Sequence, residues 1–200
     1  MWPRTKIRAR EPNNHRLLNA EAAMTTIWMV DAAYLFNAAP DKFDYLKLKS
    51  ELEKKNGEAF FESYYLNSTP NPPTDAQDAF HTWIKFGPPK GPKMRVQLYK
   101  LKDLHCECPK CHTQFDRKVQ KGVDVGIATL VIKLAVQKKY DRLLLSAGDG
   151  DFEDAIQYVK DEFQKQIWLA GFKDSVSADL QSYSDHTIWI DDIWAAVEKA

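Results

Sequence analysis

The sequence predicts an α/β fold in which helices cover both faces of a mainly parallel β-sheet. From Thr26 onward, short apolar segments alternate with longer segments that have helical periodicity. This alternation is typical of a parallel sheet, because each return to the same edge of the sheet needs a crossover helix. With 200 residues and 44% hydrophobic side chains, the chain can bury the core of one such domain.

The first half of the chain supplies three predicted strands and two predicted helices. Apolar or aromatic runs predict the strands, while leucines at helical spacing and capping residues such as Thr74 predict the helices. Asn56 and Gly57 mark the end of the first of these helices. The predicted elements are a strand at 26–31, a helix at 41–55, a strand at 58–66, a helix from 74 or 75 to 86 and a strand at 94–101.

The second half begins with a cysteine-rich insertion at about 102–118 and then resumes the alternation. The helix at 122–139 has the clearest pattern, because its apolar side chains form one broad face. The elements that follow are a strand at 143–147, a helix at 152–164, a strand at 166–171, a short helix at 175–183, a strand at 186–190 and a closing helix at 191–200.

Residues 1–24 precede the first predicted strand. They carry charges but no apolar core of the kind found in a signal peptide. We therefore expect a disordered N-terminal extension at 1–24 and a single domain at 25–200. No segment approaches the roughly 20 apolar residues that a membrane-spanning helix needs, so we expect no membrane partner.

The net charge is zero, but the charges are unevenly distributed along the chain. Residues 85–121 contain ten Lys or Arg and three acidic residues, whereas residues 141–192 contain twelve acidic residues and four Lys or Arg. Such a division suits a protein that binds cations in one region and polyanions in another. A merely solvated surface is an equally good interpretation of the charges alone.

Four aspartates stand where a parallel sheet would bring them together. Asp31 ends the first predicted strand, Asp149 and Asp151 follow the strand at 143–147, and Asp124 opens the long helix. The carboxyl ends of parallel strands share one edge, where open α/β folds bind ligands. Clustered carboxylates favour a hard divalent cation such as Mg²⁺ or Mn²⁺, and hence phosphate chemistry. Each aspartate taken alone has an alternative role: Asp149 and Asp151 could be turn and helix-cap residues, Asp124 could be a partner of the helix dipole, and Asp31 could simply end its strand.

Several sequence blocks resemble the NYN domain, the PIN-like group of nucleases that includes the LabA-like proteins. The resemblance extends from about Thr25 to Asp192. It implies a PIN-like Rossmannoid three-layer α/β/α sandwich with a mainly parallel central sheet, a Mg²⁺- or Mn²⁺-dependent acidic site and hydrolysis of RNA phosphodiester bonds. Small nucleases of this kind often pair, so it also implies a homodimer. The blocks are VDAAYLF, KGVDVGIA, LLLSAGDGDFEDAI and GFKDSVSADLQSYSDHTIWID.

The resemblance assigns catalytic and metal-binding roles to Asp31, Asp124, Asp149 and Asp151. Asp185 matches a recurrent aspartate of the family and is expected to be a metal ligand or a residue that supports one.

The chain also departs from the family pattern. Ala32, Ala33 and Tyr34 replace a frequent Gly-x-Asn sequence after Asp31, and Leu130 stands where many members have a second Asp. The alternative function is therefore a non-catalytic RNA-binding or regulatory module on the same fold. A phosphatase is disfavoured, because the nucleophilic D-x-D motif is absent after the first strand.

The predicted partner is RNA, either single-stranded or structured. Basic side chains in the region of high positive charge are candidates for phosphate contacts, and Ser146 is a further candidate beside the acidic loop. Trp83, Phe86 and Tyr99 are candidates for base stacking, although core packing is the stronger interpretation for each of them. The predicted substrate-binding residues are Arg117, Lys118, Lys121 and Ser146.

Three cysteines lie within six positions, which does not resemble a disulfide framework. Cys106, Cys108, Cys111 and His112 are instead predicted to hold a structural Zn²⁺ ion. Free reduced thiols are the main alternative, and His81 or a second subunit could supply the fourth zinc ligand. Either interpretation indicates a reducing compartment, so we expect a cytoplasmic protein.

Overall fold

The computed structural model describes residues 24–199 and contains eight strands among them. In chain order the strands are β1 (Thr26–Asp31), β2 (Glu62–Thr69), β3 (Arg95–Lys100), β4 (Lys102–Glu107), β5 (Gln114–Val119), β6 (Arg142–Ser146), β7 (Gln166–Gly171) and β8 (His186–Trp189). Six of them form one sheet in the order β3-β2-β1-β6-β7-β8, in which every neighbouring pair is parallel. The predicted mainly parallel sheet is thus confirmed. The predicted extension at 1–24 lies almost wholly outside the described residues.

Seven α-helices accompany these strands in the described part of the chain. They are α1 (Ala32–Ala38), α2 (Tyr45–Asn56), α3 (Asp75–Trp83), α4 (Val123–Val136), α5 (Glu153–Phe163), α6 (Ala178–Tyr183) and α7 (Trp194–Val197). Local signals fix their ends. Asp44 caps α2, whose end is set by Gly57 at a φ of 85°, and Thr74 with Gln77 forms a capping box at the start of α3.

The helices bury two apolar clusters, one on each face of the sheet. On one face Ile127 of α4 and Ile156 of α5 pack against β1 and β6 residues such as Met29. On the other face Leu35 of α1 and Leu48 of α2 pack against Trp28 and other side chains that point the opposite way from the same strands. The predicted three-layer α/β/α sandwich is therefore confirmed. Between residues 24 and 199, no helix combines the length and the apolar character needed to cross a bilayer.

The second strand was predicted about four residues too early. The predicted start of this strand is irregular instead of extended. Phe60 donates its N–H to Glu53 Oε1 at 3.0 Å, and the Phe60 ring lies against Trp28. The strand pairs with β1 from Glu62, which aligns with Ile27, and it continues to Thr69. Prediction from hydrophobicity alone therefore misplaced β2. Residues 67–69, at its carboxyl end, were left outside the predicted strand.

Two further elements were not predicted. Helix α1 begins directly after Asp31, although the sequence there was interpreted only as a connection. The cysteine-rich insertion is an antiparallel hairpin of β4 and β5, with Cys106 opposite Phe115. The closing helix is shorter than predicted, because residues 190–193 form a 3-10 turn before α7.

Candidate functional site

The candidate site lies at the carboxyl ends of β1 and β6, which are neighbours in the sheet. From β1 the chain continues to β2 and β3 on one side, whereas β6, β7 and β8 lie on the other side. The strand order therefore reverses between β1 and β6. In open α/β sheets this is the place where a crevice forms and ligands bind. Asp31 ends β1, and Asp149 follows β6 by three residues.

Asp31 is held rigidly at the start of α1. Its Oδ1 atom accepts hydrogen bonds from the N–H groups of Ala33 at 3.0 Å and Tyr34 at 3.3 Å. Only 9% of the residue is exposed. Burial raises the pKa of Asp31, and these N–H groups oppose that shift. The negative charges of Asp124 and Asp149 raise the pKa further, as expected for carboxylates at the same edge of the sheet.

Asp124 reaches the same edge from the first turn of α4. This helix runs back toward the start of β6, so its amino end lies at the carboxyl edge of the sheet. Gly122 precedes it with a φ of 91°, a left-handed conformation that suits glycine. Burial raises the pKa of Asp124, and the negative charges of Asp149 and Asp151 raise it further. No side chain caps the helix, so the Asp124 carboxylate is not used as a cap.

Asp149 and Asp151 occupy the turn between β6 and α5. Asp149 Oδ1 accepts a hydrogen bond from the N–H of Asp151 at 3.2 Å, which closes a short 3-10 turn. Both residues are exposed, in contrast to Asp31. The structure therefore brings all four predicted aspartates to one edge of the sheet, and it gives Asp31 and Asp149 capping hydrogen bonds as well.

The donor atoms suit a hard divalent cation, but they do not form a closed cage. Among residues 24–199, no three His, Cys, Asp or Glu side chains are arranged to surround a metal ion. A Mg²⁺ ion needs fewer protein ligands than that, because it usually keeps several waters and binds one or two carboxylates together with substrate phosphates. Burial is the main cause of the raised pKa of Asp31 and of Asp124, repulsion from neighbouring carboxylates adds to it, and a bound cation would relieve that repulsion. The residues present fit Mg²⁺ or Mn²⁺ in this open mode.

Asp185 does not belong to this site, and its prediction as a metal ligand is corrected. It precedes β8 at the opposite edge of the sheet. Its Oδ1 accepts from Lys160 Nζ at 2.6 Å, and its Oδ2 accepts from the N–H of Ile167 at 2.7 Å. Burial tends to raise the pKa of Asp185, but these hydrogen bonds and the charge of Lys160 outweigh it and lower the pKa. The carboxylate joins α5 to the start of β7.

Ser146 is close to the acidic loop in sequence but is not available to a substrate. It is fully buried, and its Oγ accepts a hydrogen bond from the indole Nε1 of Trp28 at 3.0 Å. The hydroxyl satisfies a buried donor from the neighbouring strand. The prediction of Ser146 as a substrate-binding residue is therefore also corrected.

The predicted basic residues lie on the approach to α4. Lys121 lines a cavity of about 600 Å³ between α4 and the edge of β3, together with Lys102, Lys133 and the ring of Tyr99. Arg117 and Lys118 are consecutive exposed residues of β5, so they project to opposite faces of the hairpin. A nucleic acid bound to one face of the hairpin would therefore contact one of these two cations, but not both.

The cysteine hairpin does not assemble the predicted zinc site. Cys108 and Cys111 are neighbours in its tip, whereas the Cys106 thiol hydrogen-bonds to the carbonyl of Leu104 at 3.6 Å. His112 Nδ1 lies 2.6 Å from Glu107 Oε1 instead of facing the sulfurs. As already noted, the described residues hold no group of three metal-binding side chains. His81 lies elsewhere, in α3 against Tyr65.

Tyr34 was missed as a site residue. Its hydroxyl lies 2.8 Å from Ser175 Oγ and accepts the N–H of Phe172 at 3.0 Å, so it connects α1 to the loop after β7. The family pattern does not indicate this role, because many members have an Asn at the position of Tyr34. A second missed feature is a cavity at the end of β2, whose polar lining includes Asn67. The misplaced strand prediction had ended at residue 66.

Comparisons with known proteins agree with this fold. A model of the NYN domain matches residues 26–191, which include the four aspartates. The Low amplitude and bright protein LabA of Synechococcus elongatus is 27% identical over 104 residues, which are 52% of this chain and 52% of that protein. The match thus spans about half the length of that relative. A crystal structure of a protein of unknown function from Vibrio parahaemolyticus has a TM-score of 0.65 at 20% identity, and the match covers 88% of this chain and 98% of that one. At this identity the likeness shows the fold alone.

Proposed function

The chain belongs to the NYN domain family, whose members are generally PIN-like nucleases, and on this premise we propose that it is a metal-dependent ribonuclease. Its substrate is RNA, and its reaction is hydrolysis of a phosphodiester bond. The proposed catalytic residues are Asp31, Asp124, Asp149 and Asp151. Membership of the family supports the nuclease class, and the arrangement of these four side chains supports the specific reaction.

The observation that carries the proposal is the convergence of the four carboxylates at the β1/β6 crevice. They come from three separate segments of the chain. Besides burial, the charges of Asp124 and Asp149 raise the pKa of Asp31. The charges of Asp149 and Asp151 likewise add to the effect of burial on the pKa of Asp124. A protein gains no stability from crowding like charges, so such a cluster is typical of a functional site. Capping explains Asp31 and Asp149, and the dipole of α4 favours a carboxylate at Asp124 in its first turn, but neither role requires these side chains to meet at one edge of the sheet.

Of Asp31, Asp149 and Asp151, one or two at a time would hold the cation directly, and the others would contact it through the water molecules that it retains. When bound, Mg²⁺ or Mn²⁺ makes a water molecule acidic and neutralises charge on the non-bridging phosphate oxygens. Asp31 is oriented before any ligand arrives, because its Oδ1 is fixed by two backbone N–H groups and its Oδ2 remains free of protein hydrogen bonds among the described residues. Preorganisation of this kind avoids the free-energy cost of ordering the ligand during the reaction.

Asp124 is the proposed proton acceptor. Its carboxylate is exposed and makes no side-chain cap, and its raised pKa makes it a better base than an ordinary aspartate. Lys121 lies three residues earlier, in the wall of the basic cavity, and is the proposed contact for a substrate phosphate. Lys102 and Lys133 in the same wall would bind neighbouring phosphates, so affinity should fall as salt rises.

The proposal is tested by RNA cleavage with Mn²⁺ and with a chelator. Wild-type protein should cleave single-stranded RNA only with the cation, and Asp149→Asn should reduce the rate by about 100-fold or more. Asp161→Asn is the matched control, since Asp161 is an exposed carboxylate near the far end of α5. Equal rates for Asp149→Asn and Asp161→Asn would contradict the assignment.

A non-catalytic RNA-binding module is the second candidate. Two observations favour it. Tyr34 occupies the frequent Asn position with its hydroxyl already hydrogen-bonded, and Leu130 lines the basic cavity where many members have a carboxylate. The same experiment separates the two functions, because a binding module would retain salt-sensitive RNA affinity in gel-shift assays but show no cleavage with any cation.

The remaining expectations stay predictions. A structural Zn²⁺ ion at the cysteine hairpin would require its tip to rearrange, and elemental analysis of purified protein would detect it. Three free thiols suit a reducing compartment such as the cytoplasm. Pairing of two copies is measurable by sedimentation.

A further inference from the structure

A second cavity, of about 870 Å³, lies between α1, α3 and the carboxyl end of β2. This volume is in the range of pockets that hold small organic ligands. Its walls combine aromatic rings with neutral polar groups and the charged side chains Asp41, Lys42 and Lys199, and a mixture of aromatic and polar groups is typical of ligand pockets. Among the lining side chains are Phe36, Tyr65, Asn67, Gln77, Phe80 and His81.

The cavity adjoins the acidic site. Ala32 and Ala33, the first two residues of α1, line it, and they directly follow Asp31. The charge of Asp31 also contributes to raising the pKa of Tyr65 in the cavity wall, although burial is the larger cause. Gln120, which lies just before α4, lines the cavity from the other side. If one unit of a polymer is bound at the carboxylates, the next unit of that polymer therefore lies within reach of this cavity.

Two enclosed polar atoms in the wall have no hydrogen-bond partner among the described residues. These are His81 Nδ1, in a residue that is 4% exposed, and Ser68 Oγ. Ser63 Oγ and Thr69 Oγ1 of β2 are unpartnered as well, and all four atoms are shielded from solvent, so a ligand in the cavity would reach His81 Nδ1 or Ser68 Oγ only after these side chains rotate. Burial and the nearby Lys85 lower the pKa of His81, although Asp78 opposes the shift, so the ring is neutral at pH 7.

The rim of the cavity carries an exposed aromatic side chain. Phe36, on α1, is 80% exposed and lines the cavity. It contributes little to the core, yet it presents a flat apolar face beside the opening. Exposed rings of this kind are stacking platforms for the bases of single-stranded nucleic acids. Asn37 follows it in the lining, and no described residue hydrogen-bonds to its side-chain amide.

We infer that this cavity binds an unstacked RNA base next to the phosphate held at the carboxylates, with Phe36 stacking at its rim. The inference rests on the proposed function. A base fits the observations better than a phosphate does, because the lining residues from β2 and α3 are neutral and the charged lining residues Asp41, Lys42 and Lys199 are all exposed. The side-chain amide of Asn37 is available to a base edge, whereas the amides of Asn67 and Gln77 already hydrogen-bond within the protein. Planar rings with polar edges are recognised by this combination of stacking and edge contacts.

The test uses binding without cleavage. Protein in chelator is titrated into a pentaribonucleotide labelled with fluorescein at its 5′ end, with fluorescence anisotropy as the readout, and a second pentamer with the same label has an abasic nucleotide at one internal position. Wild-type protein should bind the base-bearing pentamer about tenfold more tightly. Phe36→Ala should remove most of that difference. Phe61→Ala is the matched control, since Phe61 is 59% exposed and lies before β2 at the other edge of the sheet.

The outcomes distinguish failure of the base-pocket inference from failure of the proposed ribonuclease function. If wild type and Phe36→Ala prefer the base equally, the inference is overturned, even if cleavage depends on Asp149. If Phe36→Ala alone loses the preference while no cation supports cleavage, the base pocket stands and the ribonuclease proposal fails. Absence of any binding by wild-type protein, both in chelator and with Mn²⁺, overturns both. Thermal unfolding of the variants should match wild type, because Phe36 is outside the core.

Discussion

The ring of Tyr34 packs directly on Gly148. A Cβ atom at position 148 would lie 2.7 Å from Tyr34 Cδ2 and would also overlap the carbonyl oxygen of Ser175. Tyr34 is in the first turn of α1, which Asp31 caps, and Gly148 immediately precedes Asp149. The contact therefore joins the first turn of α1, which Asp31 caps, to the turn that carries Asp149.

Replacing Gly148 by alanine should disturb both stability and activity. The added methyl group must displace the Tyr34 ring or the backbone at Ser175, and overpacking of this kind costs about 1–3 kcal/mol in the free energy of unfolding. Urea denaturation measures the loss. Gly87→Ala is the control, because the nearest atom to its new Cβ is Lys93 Cδ at 3.9 Å. Equal stability of the two variants would show that Tyr34 and Gly148 are not in firm contact.

Ser146 should prove to be a structural residue. In Ser146→Ala the Trp28 indole N–H loses its acceptor inside the core, which costs about 1–3 kcal/mol of stability. The KM for RNA, measured where the variant remains folded, should be unchanged. A raised KM with unaltered stability would instead support the substrate-binding role that the sequence suggested.

Asp31 and Asp185 should influence stability with opposite signs. The folded-state pKa of Asp31 is raised from 3.8, so its ionisation opposes folding above that raised pKa and has no such effect below 3.8. The pKa of Asp185 is lowered, so its ionisation stabilises the fold above 3.8 and loses this effect as pH falls through the lowered value. At pH 7 without metal, Asp31→Asn should therefore raise the free energy of unfolding, and Asp185→Asn should reduce it.

Urea denaturation at several pH values checks this pair of expectations. The gain from Asp31→Asn should shrink as pH falls toward 3.8, since the wild-type carboxyl becomes protonated. The side-chain amide introduced by this substitution keeps an oxygen that can accept the capping hydrogen bonds, so the helix start is preserved. A destabilising effect of Asp31→Asn at pH 7 would indicate that its capping role outweighs burial and repulsion.

Cys111 should be the reactive thiol of the hairpin. Hydrogen bonds to the side chain and backbone of Thr113 and to Cys108 lower the pKa of Cys111 to about 7. Alkylation of Cys111 by iodoacetamide, followed by mass spectrometry, should therefore reach half its maximal rate near pH 7. Thr113→Val should move this midpoint upward. An unchanged midpoint in that variant would exclude the Thr113 hydroxyl as a cause, because the backbone N–H is retained, and protection by added Zn²⁺ would support the predicted zinc site.

Most of the central sheet was predictable because its strands are short apolar runs. β1, β3, β6 and β7 match their predictions to within one residue at each end. The failures have local causes. Phe60 looks like a strand residue by composition, but its N–H is bound by Glu53, so β2 starts later. Asp31 was predicted to be a metal ligand. Its role as the cap of α1 was not predicted, because α1 itself was not.

The candidate site was predictable to the extent that strand topology determines it. Asp31, Asp124, Asp149 and Asp151 reach one edge because parallel strands and their crossover helices share polarity. Asp185 and Ser146 were misassigned because proximity in sequence does not reveal hydrogen bonds to Lys160 or Trp28. The second cavity involves residues from β2, α1 and α3, and its shape depends on packing that no sequence motif encodes.

Binding of Mn²⁺ tests the central claim most directly, because it does not depend on the choice of RNA. Free Mn²⁺ is measured by electron paramagnetic resonance during titration of wild type, Asp149→Asn and the control Asp161→Asn. Shared coordination by the converging carboxylates predicts that Asp149→Asn weakens Mn²⁺ binding by about tenfold or more while Asp161→Asn leaves it unchanged. The same Mn²⁺ affinity in all three proteins would contradict the account.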